Sequence, residues 1–133
     1  LLSHGDCYCT DDHDYQEMKI LLRSEKWQKE FLNQSLETRR GIGRKIRTES
    51  ESSTATKAES IMDVSTSAIE EIKCRKDVTV VIHGHTHRPG IESHDDGFIR
   101  ITLGPWEHCG WVCYQDRSGF QLKCFNLRDR YET

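Results

Sequence analysis

Three histidines at the ends of two predicted strands are the residues of this chain best suited to metal chemistry. His85 and His87 follow the apolar run Val78–Ile82, and His4 follows Leu1–Ser3. A neutral imidazole is the commonest metal ligand, and residues two apart in an extended segment point the same way. The spacing predicts that His85 and His87 converge on one point, with His4 delivered from a second strand end. The alternative is that these histidines are solvated loop residues.

The apolar run before the histidines is expected to be a buried strand. Five β-favouring residues in a row suit a strand covered on both faces, as in a parallel sheet. Gly84 allows a tight bend and Pro89 prevents further pairing. Ligands bind at the carboxyl ends of such strands in open α/β sheets. We expect His83, inside the run, to be a core residue and not a ligand.

The segment after His4 is predicted to be helical. The acidic residues in 10–14 suit a helix N-terminus, where carboxylates meet free backbone N–H groups, or could orient a polar substrate. Apolar residues then recur every three to four positions from Tyr15 to about Leu36, which indicates a helix whose stripe is core or the wall of an apolar groove. Residues 39–47 carry five positive charges, either solvated or resting on anionic lipid. Residues 49–60 are predicted to be a loop or a weak helix.

The second half of the chain is predicted to be α/β and then all-β. Ser67 and Glu70 have capping-box spacing for a helix that ends near Lys73 and leads into the strand at Val78. Residues 97–104, 110–114 and 120–125 are predicted to be three strands of an antiparallel meander. Turns are expected at 95–97 and 116–119.

Composition limits the class of protein. The 133 residues suffice for one domain, and the net charge of −3 provides no global field for nucleic acid. No apolar run approaches the roughly 18 residues that a membrane span needs. Six cysteines without paired Cys-x2-Cys spacing are expected to be reduced thiols, although a disulfide framework is the alternative. The start, Leu1-Leu2-Ser3, has the pattern of a strand tail, so we expect a fragment.

Five short motifs occur in a characteristic order. They are His4-Gly-Asp6, Cys9-Thr10-Asp11-Asp12-x-x-Tyr15, Lys57-x3-Ile61-Met62-Asp63-Val64, Ile82-His83-Gly84-His85-Thr86-His87-Arg88-Pro89 and Leu103-Gly104-x-Trp106. Together they resemble the C-terminal half of the UDP-2,3-diacylglucosamine hydrolase family, which has the calcineurin-like metallophosphoesterase fold. Gly-His-Thr-His alone would indicate only the superfamily, whereas the second and third motifs indicate this member.

The resemblance implies a fold and a set of site residues. Residues 1–133 would form the C-terminal portion of one metallophosphoesterase αββα sandwich, with a helical lid insertion over 12–56 and a C-terminal antiparallel meander. A two-metal centre, typically Mn²⁺, would be held by His87 on one ion and by His4 and His85 on the other. The implied substrate contacts are Asp12, Tyr15, Ser50, Thr54, Lys57 and His85.

The resemblance also implies a reaction. UDP-2,3-diacylglucosamine would be hydrolysed at its pyrophosphate bond to UMP and lipid X, in lipid A biosynthesis, at the cytoplasmic face of the bacterial inner membrane. Two metal ions can lower the pKa of a bridging water and neutralise charge on the attacked phosphorus. The family's carboxylate ligands lie in its N-terminal half, so this chain alone is expected to be inactive. Two alternatives stay open: a metallophosphoesterase for another phosphoester, and a non-catalytic His/Cys metal-binding module.

Overall fold

The computed structural model describes residues 1–58 and 61–127, which form a mixed α/β structure. The helices of this part are α1 (His13–Arg23), α2 (Glu25–Leu32), α3 (Leu36–Thr56) and α4 (Thr66–Lys73). Its strands are β1 (Val80–His83), β2 (Gly90–Ser93), β3 (Ile99–Thr102), β4 (Cys109–Asp116) and β5 (Gly119–Asn126). The chain divides into two compact units: Thr10–Asp63, and Leu1–Cys9 together with the chain from Val64 onward.

A three-stranded sheet with the order β1-β3-β2 positions the histidines. β1 pairs in parallel with β3, as its apolar composition predicts, and β2 pairs antiparallel with β3. The start of the chain lies along β1, because Ile82 N–H donates to the Leu1 carbonyl and Ser3 N–H donates to the Ile82 carbonyl. Leu2 and Ile82 form a parallel bridge. The two predicted strand ends therefore lie side by side.

The predicted three-stranded C-terminal meander is wrong. Its first strand, β3, joins β1 instead, because Phe98 and Ile101 are buried at 4% and 0% exposure in the core of that sheet. β4 and β5 form a separate two-stranded hairpin, closed by the predicted turn, where Asp116 Oδ1 accepts from the Ser118 N–H at 2.8 Å. β2 was not predicted; it reaches β3 through the predicted turn at 95–97, where Gly97 has φ +82°.

The hydrophobic core of the unit that contains the sheet lies between α4 and the sheet. Ile69 and Ile72 from the helix cluster with Val81, Phe98, Tyr8 and Val78. Burial of each large apolar side chain stabilises the fold by roughly 1.5–3 kcal/mol.

The capping box predicted at Ser67 and Glu70 is wrong, because the N-cap of α4 lies two residues earlier and is followed at the third position by Ala68. Ser65, not Ser67, is the N-cap, and its side chain accepts a hydrogen bond from the Ala68 N–H at 3.3 Å. The helix ends at Lys73, as predicted.

In the unit from Thr10 to Asp63, the regular structure of the described residues is entirely helical. The helix predicted over 15–36 is divided at Ser24 and at Ser35, because each serine side chain accepts a backbone N–H from three residues ahead and starts a new helix. α3 then continues to Thr56, through the segment predicted as a loop or weak helix. α1, α2 and α3 contain no buried residue, so their apolar stripe is not a core within this unit. None of the described helices has both the length and the hydrophobicity of a membrane-spanning segment.

Candidate functional site

His4 and His85 lie together at the ends of two neighbouring chain segments. Their ring centroids are 5.0 Å apart, with the ring planes at 55°. The pairing of Leu1–Ser3 with β1 brings them there, and the Gly84 N–H donates to the His4 carbonyl at 2.9 Å. The sequence prediction that two strand ends deliver imidazoles to one place is confirmed for this pair.

Gly5 makes this close approach possible. It has φ +105°, and a Cβ at this position would lie 2.8 Å from the Gly84 carbonyl oxygen and 2.8 Å from His83 Nδ1. Both the left-handed backbone and the lack of space favour glycine. Any side chain here would push the two segments apart.

His83 is a core residue, as predicted. It is 1% exposed, and Tyr8 contacts its ring edge-on at 5.7 Å between centroids. Nδ1 lies 2.9 Å from the Gly84 carbonyl oxygen, which can only accept, so Nδ1 carries the proton. Nε2 is then left to accept from the Thr102 hydroxyl at 3.2 Å. Both nitrogens are satisfied inside the protein.

The turn that carries His85 and His87 is not extended. His85 has φ 69° and His87 has φ 57°, and the Thr86 N–H donates to the Gly84 carbonyl at 2.9 Å. The premise that these histidines alternate along an extended segment is therefore wrong. A left-handed backbone at a residue other than glycine costs on the order of 1 kcal/mol or more, and such strain clusters at functional sites.

Asp6 supports His4 and was not assigned a role from the sequence. It is 4% exposed, and its Oδ1 lies 3.4 Å from His4 Nδ1. A carboxylate beside one ring nitrogen of a ligating histidine fixes the ring and leaves the other nitrogen for the metal. The sequence signal that could have identified Asp6 is its position two residues after His4, across the bend at Gly5.

The side chains around His4 and His85 provide some, but not all, of the ligands that one divalent ion needs. Two imidazoles beside a buried carboxylate are chemically suited to a first-row metal. Thr86 Oγ1 is buried without a hydrogen-bond partner among the described residues, which indicates a polar site that protein atoms do not complete. Across residues 1–58 and 61–127, no group of three or more His, Cys, Asp or Glu is placed to hold a metal, and His87 is exposed.

The other unit contains a pocket that gathers five of the predicted substrate contacts. Asp12, Tyr15, Ser50, Thr54 and Lys57 all line one pocket of about 170 Å³, between the start of α1 and the end of α3. Ser50 and Thr54, four residues apart, lie on one face of α3, and Lys57 is the extended C-cap residue that follows its last turn. The sixth predicted contact, His85, belongs to the other unit. Substrate binding by these residues stays a prediction.

Among the described residues that line this pocket, Lys57 is the only cation. Its Nζ lies 2.5 Å from Asp12 Oδ1 and 3.4 Å from Asp14 Oδ2. The hydrogen bond to Asp12 raises the pKa of Lys57 above its usual 10.5, although partial burial opposes the shift. The ammonium is therefore held charged and in place, and only 16% of the side chain is exposed. The lining also includes the carboxylates of Asp12, Asp14 and Glu49, so the pocket offers hydroxyl and carboxylate groups to a sugar and one paired cation, Lys57, to a phosphate oxygen.

Comparison with known proteins identifies relatives over almost the whole chain. No protein-family model matches. A curated protein of Pseudomonas fluorescens named UDP-2,3-diacylglucosamine hydrolase is 39% identical over 130 residues, which is 96% of this chain and 52% of the relative. Proteins of the same name from Bordetella pertussis and Cellvibrio japonicus are 38% and 36% identical over 96% of this chain. The resemblance found in the motifs is confirmed, and the chain spans about half the length of the curated relatives it matches.

Proposed function

We propose that this chain is the part of a UDP-2,3-diacylglucosamine hydrolase that provides three imidazoles of a two-metal centre and a pocket for the polar part of the substrate. The similarity over 96% of the chain to relatives of that name supports this assignment. The closeness of His4 and His85 is the single observation that carries it, because two separate segments bring together two imidazoles that the family resemblance implies as ligands of one metal ion.

In this proposal the β1-β3-β2 sheet is part of the αββα sandwich of the calcineurin-like metallophosphoesterases. β3 is the central strand, with β1 parallel on one side and β2 antiparallel on the other. Among the described residues, the sheet extends beyond β1 only through the short pairing with Leu1–Ser3. Further strands of the sandwich would come from residues outside this sequence. The relatives are about twice as long as the aligned region, which leaves room for them.

His4 and His85 would hold one Mn²⁺ ion, and His87 would hold the other. When bound, the two ions supply an activated water and charge neutralisation at the attacked phosphorus. The chain's own contribution is positioning: Asp6 orients His4, Gly5 allows the segments to approach, and the buried His83 anchors the strand end. Because the remaining ligands would lie elsewhere, the isolated chain does not turn over substrate.

The pocket at α1 and α3 would bind the substrate through its charge and hydroxyls. Lys57 acts as a point charge for a phosphate oxygen, and Asp12 keeps the ammonium inside the pocket. Ser50, Thr54 and Tyr15 supply hydroxyl groups to the same space. The products of pyrophosphate hydrolysis would be UMP and lipid X.

The helical unit would take the acylated end of the substrate, as the lid predicted over residues 12–56. Trp27 and Phe31 stack at 4.8 Å between ring centroids and line a groove together with Ile42. Ile20 and Leu32 are 71% and 63% exposed, so apolar surface is available for acyl chains.

The same unit would rest on the cytoplasmic face of the inner membrane. The five cations of residues 39–47 all lie on α3, so anionic lipid headgroups would attract this helix.

A chimera tests the proposal. The 133 residues replace the aligned region of the Pseudomonas fluorescens relative, and release of UMP from UDP-2,3-diacylglucosamine is measured with added Mn²⁺. We expect activity from the chimera, at least about a hundredfold less from its His87→Ala or His85→Ala variant, and an unchanged rate from His108→Ala, an exposed histidine outside the site.

Two outcomes would contradict the proposal. A chimera that hydrolyses only a simple phosphodiester would indicate a different phosphoesterase. A folded chimera that binds metal through its thiols and is inactive on both substrates would indicate a metal-binding module.

A further inference from the structure

The β4–β5 hairpin places two cysteines beside each other. Cys109 is paired with Asn126, and Cys124 is paired with Trp111, two positions further along each strand. Residues two apart in a strand share a face, so Cys109 and Cys124 are diagonal neighbours on the same face of the hairpin. They lie in the half of the hairpin away from its turn.

The two thiols are neighbours that line one pocket at the open end of the hairpin. A side-chain hydrogen bond with Cys124 is the largest cause that raises the pKa of Cys109, followed by burial, and the Trp111 indole opposes the shift. The raised pKa favours the protonated form of Cys109. Cys124 is exposed and Cys109 is half-buried, and both line one open pocket at this end of the hairpin. Cys124 is the thiol that a dissolved reagent reaches first.

We propose that Cys109 and Cys124 form a dithiol site that a hydroperoxide oxidises to a reversible disulfide across the hairpin. The Cys124 thiolate attacks the terminal oxygen of the hydroperoxide, the O–O bond breaks, and hydroxide leaves from hydrogen peroxide or alkoxide from an organic hydroperoxide, which gives a sulfenic acid on Cys124. The Cys109 sulfur then attacks the Cys124 sulfur; the S–O bond breaks, and the hydroxyl leaves with the Cys109 proton as water. Each sulfur is oxidised by one electron, and the peroxide is reduced by two.

The diagonal arrangement makes this a reversible link. Diagonal neighbours on adjacent strands have Cα atoms about 7–8 Å apart, whereas a disulfide prefers about 4.4–6.8 Å. Closing the bond requires the strands to approach, which the start of β4 can allow because Cys109 is its first residue. Strained and exposed disulfides are the readily reduced ones. The bond would thus form under peroxide and open again with a thiol reductant.

Cys113 provides a matched control on the same hairpin. It is half-buried on β4 opposite Leu122, so no thiol stands directly across from it. Burial raises the pKa of Cys113 and disfavours its thiolate. It should react slowly with peroxide while the pair reacts.

The indole of Trp111 offers an optical signal. It lies directly across the hairpin from Cys124 and packs on Gly104, where an added Cβ would lie 2.3 Å from Trp111 Nε1. A disulfide next to an indole quenches its fluorescence, so oxidation should lower the emission of Trp111 and reduction should restore it.

Peroxide titration of the full chain tests the inference. Of the six thiols, we expect two to be lost at stoichiometric hydrogen peroxide. Peptide mapping should find the Cys109–Cys124 crosslink, and dithiothreitol should restore both thiols. The pair should be oxidised at least about tenfold faster than Cys113.

Two variants locate the chemistry. Cys113→Ser should leave the crosslink and the fluorescence change intact. Cys109→Ser should abolish the crosslink and leave a sulfenic acid on Cys124 that a 1,3-diketone traps. A map of the unmodified chain that shows no Cys109–Cys124 peptide, or a crosslink to Cys113 in its place, would overturn the inference whether or not the variants fold.

Discussion

The Lys57 ammonium lies 2.5 Å from the same Asp12 carboxylate that accepts the Tyr15 N–H at the start of α1. One carboxylate therefore caps the N-terminus of α1 and holds a cation at the C-terminal end of α3. Each charge has the sign that its helix terminus favours, since the N-terminus of a helix is partially positive and the C-terminus partially negative. The pair joins two helices that have no buried residue of their own.

The effect of replacing Lys57 on stability should depend on pH. The Asp12–Lys57 pair should stabilise the fold at neutral pH and no longer do so at alkaline pH. Asp12 raises the pKa of Lys57 above 10.5 in the folded chain, so the pair stabilises the fold below pH 10.5 and ceases to do so as pH rises through the folded-state pKa. Lys57→Met should therefore have a lower melting temperature than the unmodified chain from about pH 7 to about pH 10, and the difference should shrink at higher pH.

Lys29→Met is the control for that experiment. Lys29 pairs with Glu25 at 3.4 Å, with 76% and 90% of the two side chains exposed. Such exposed pairs contribute about 0.5 kcal/mol or less. Equal effects of Lys29→Met and Lys57→Met across the pH range would show that the Asp12–Lys57 pair is not special.

Substitution of Thr102 by valine should destabilise the chain through His83. The valine keeps the shape and leaves the buried His83 Nε2 without its hydroxyl donor. We expect a loss of about 1–3 kcal/mol in the free energy of unfolding, measured by urea denaturation. Thr86→Val makes the same chemical change at a hydroxyl that has no partner among the described residues, and should change stability by less than about 0.5 kcal/mol. Equal losses in the two variants would contradict the hydrogen bond to His83.

Two Gly→Ala substitutions should have opposite effects on stability. At Gly104 the new Cβ would lie 2.3 Å from Trp111 Nε1, so the indole must move, with an expected loss of about 1–3 kcal/mol. At Gly43, inside α3, the Cβ would meet no atom within 4 Å, and alanine should stabilise the helix by about 0.5–1 kcal/mol. Thermal unfolding followed by circular dichroism measures both. A stabilising Gly104→Ala would show that Trp111 does not pack there.

Alanine at Ser65 should destabilise the chain more than alanine at Ser67. Ser65 caps α4 through the Ala68 N–H, and loss of an N-cap costs about 1 kcal/mol. Ser67 lies inside the first turn, and its hydroxyl is 3.3 Å from that of Ser65, so Ser67→Ala should cost under about 0.5 kcal/mol. The urea midpoints of the two variants give the comparison, and the reverse order would restore the capping box first predicted at Ser67.

Features that depend on a few neighbouring residues, such as strand ends, a helix end and turns, could be predicted from the sequence. The strand ends before His4 and His85, the helix end at Lys73, and the turns at 95–97 and 116–119 were predicted because each rests on a few neighbouring residues. His83 was assigned to the core because it lies inside an apolar run, and its two hydrogen bonds confirm this.

Pairing and helix division were predicted less well. The apolar period runs through Ser24 without interruption, so only the side-chain cap onto the Trp27 N–H reveals the break. β3 pairs in parallel with β1, about twenty residues earlier, and nothing in its own residues specifies that neighbour. The gathering of Ser50, Thr54 and Lys57 with Asp12 in one pocket also depends on how α3 packs on α1, which the resemblance suggested and spacing could not.

The left-handed backbone at His85 and His87 lowers the stability of this turn, while the imidazoles at these positions are the candidate metal ligands. Glycine adopts that region freely, so a screen for heat tolerance alone would favour glycine at both positions, with a gain of roughly 1 kcal/mol each. The variants that such a screen selects would have lost two imidazoles. Engineering of this chain for robustness should therefore leave residues 84–87 untouched and seek its improvements in the exposed helices.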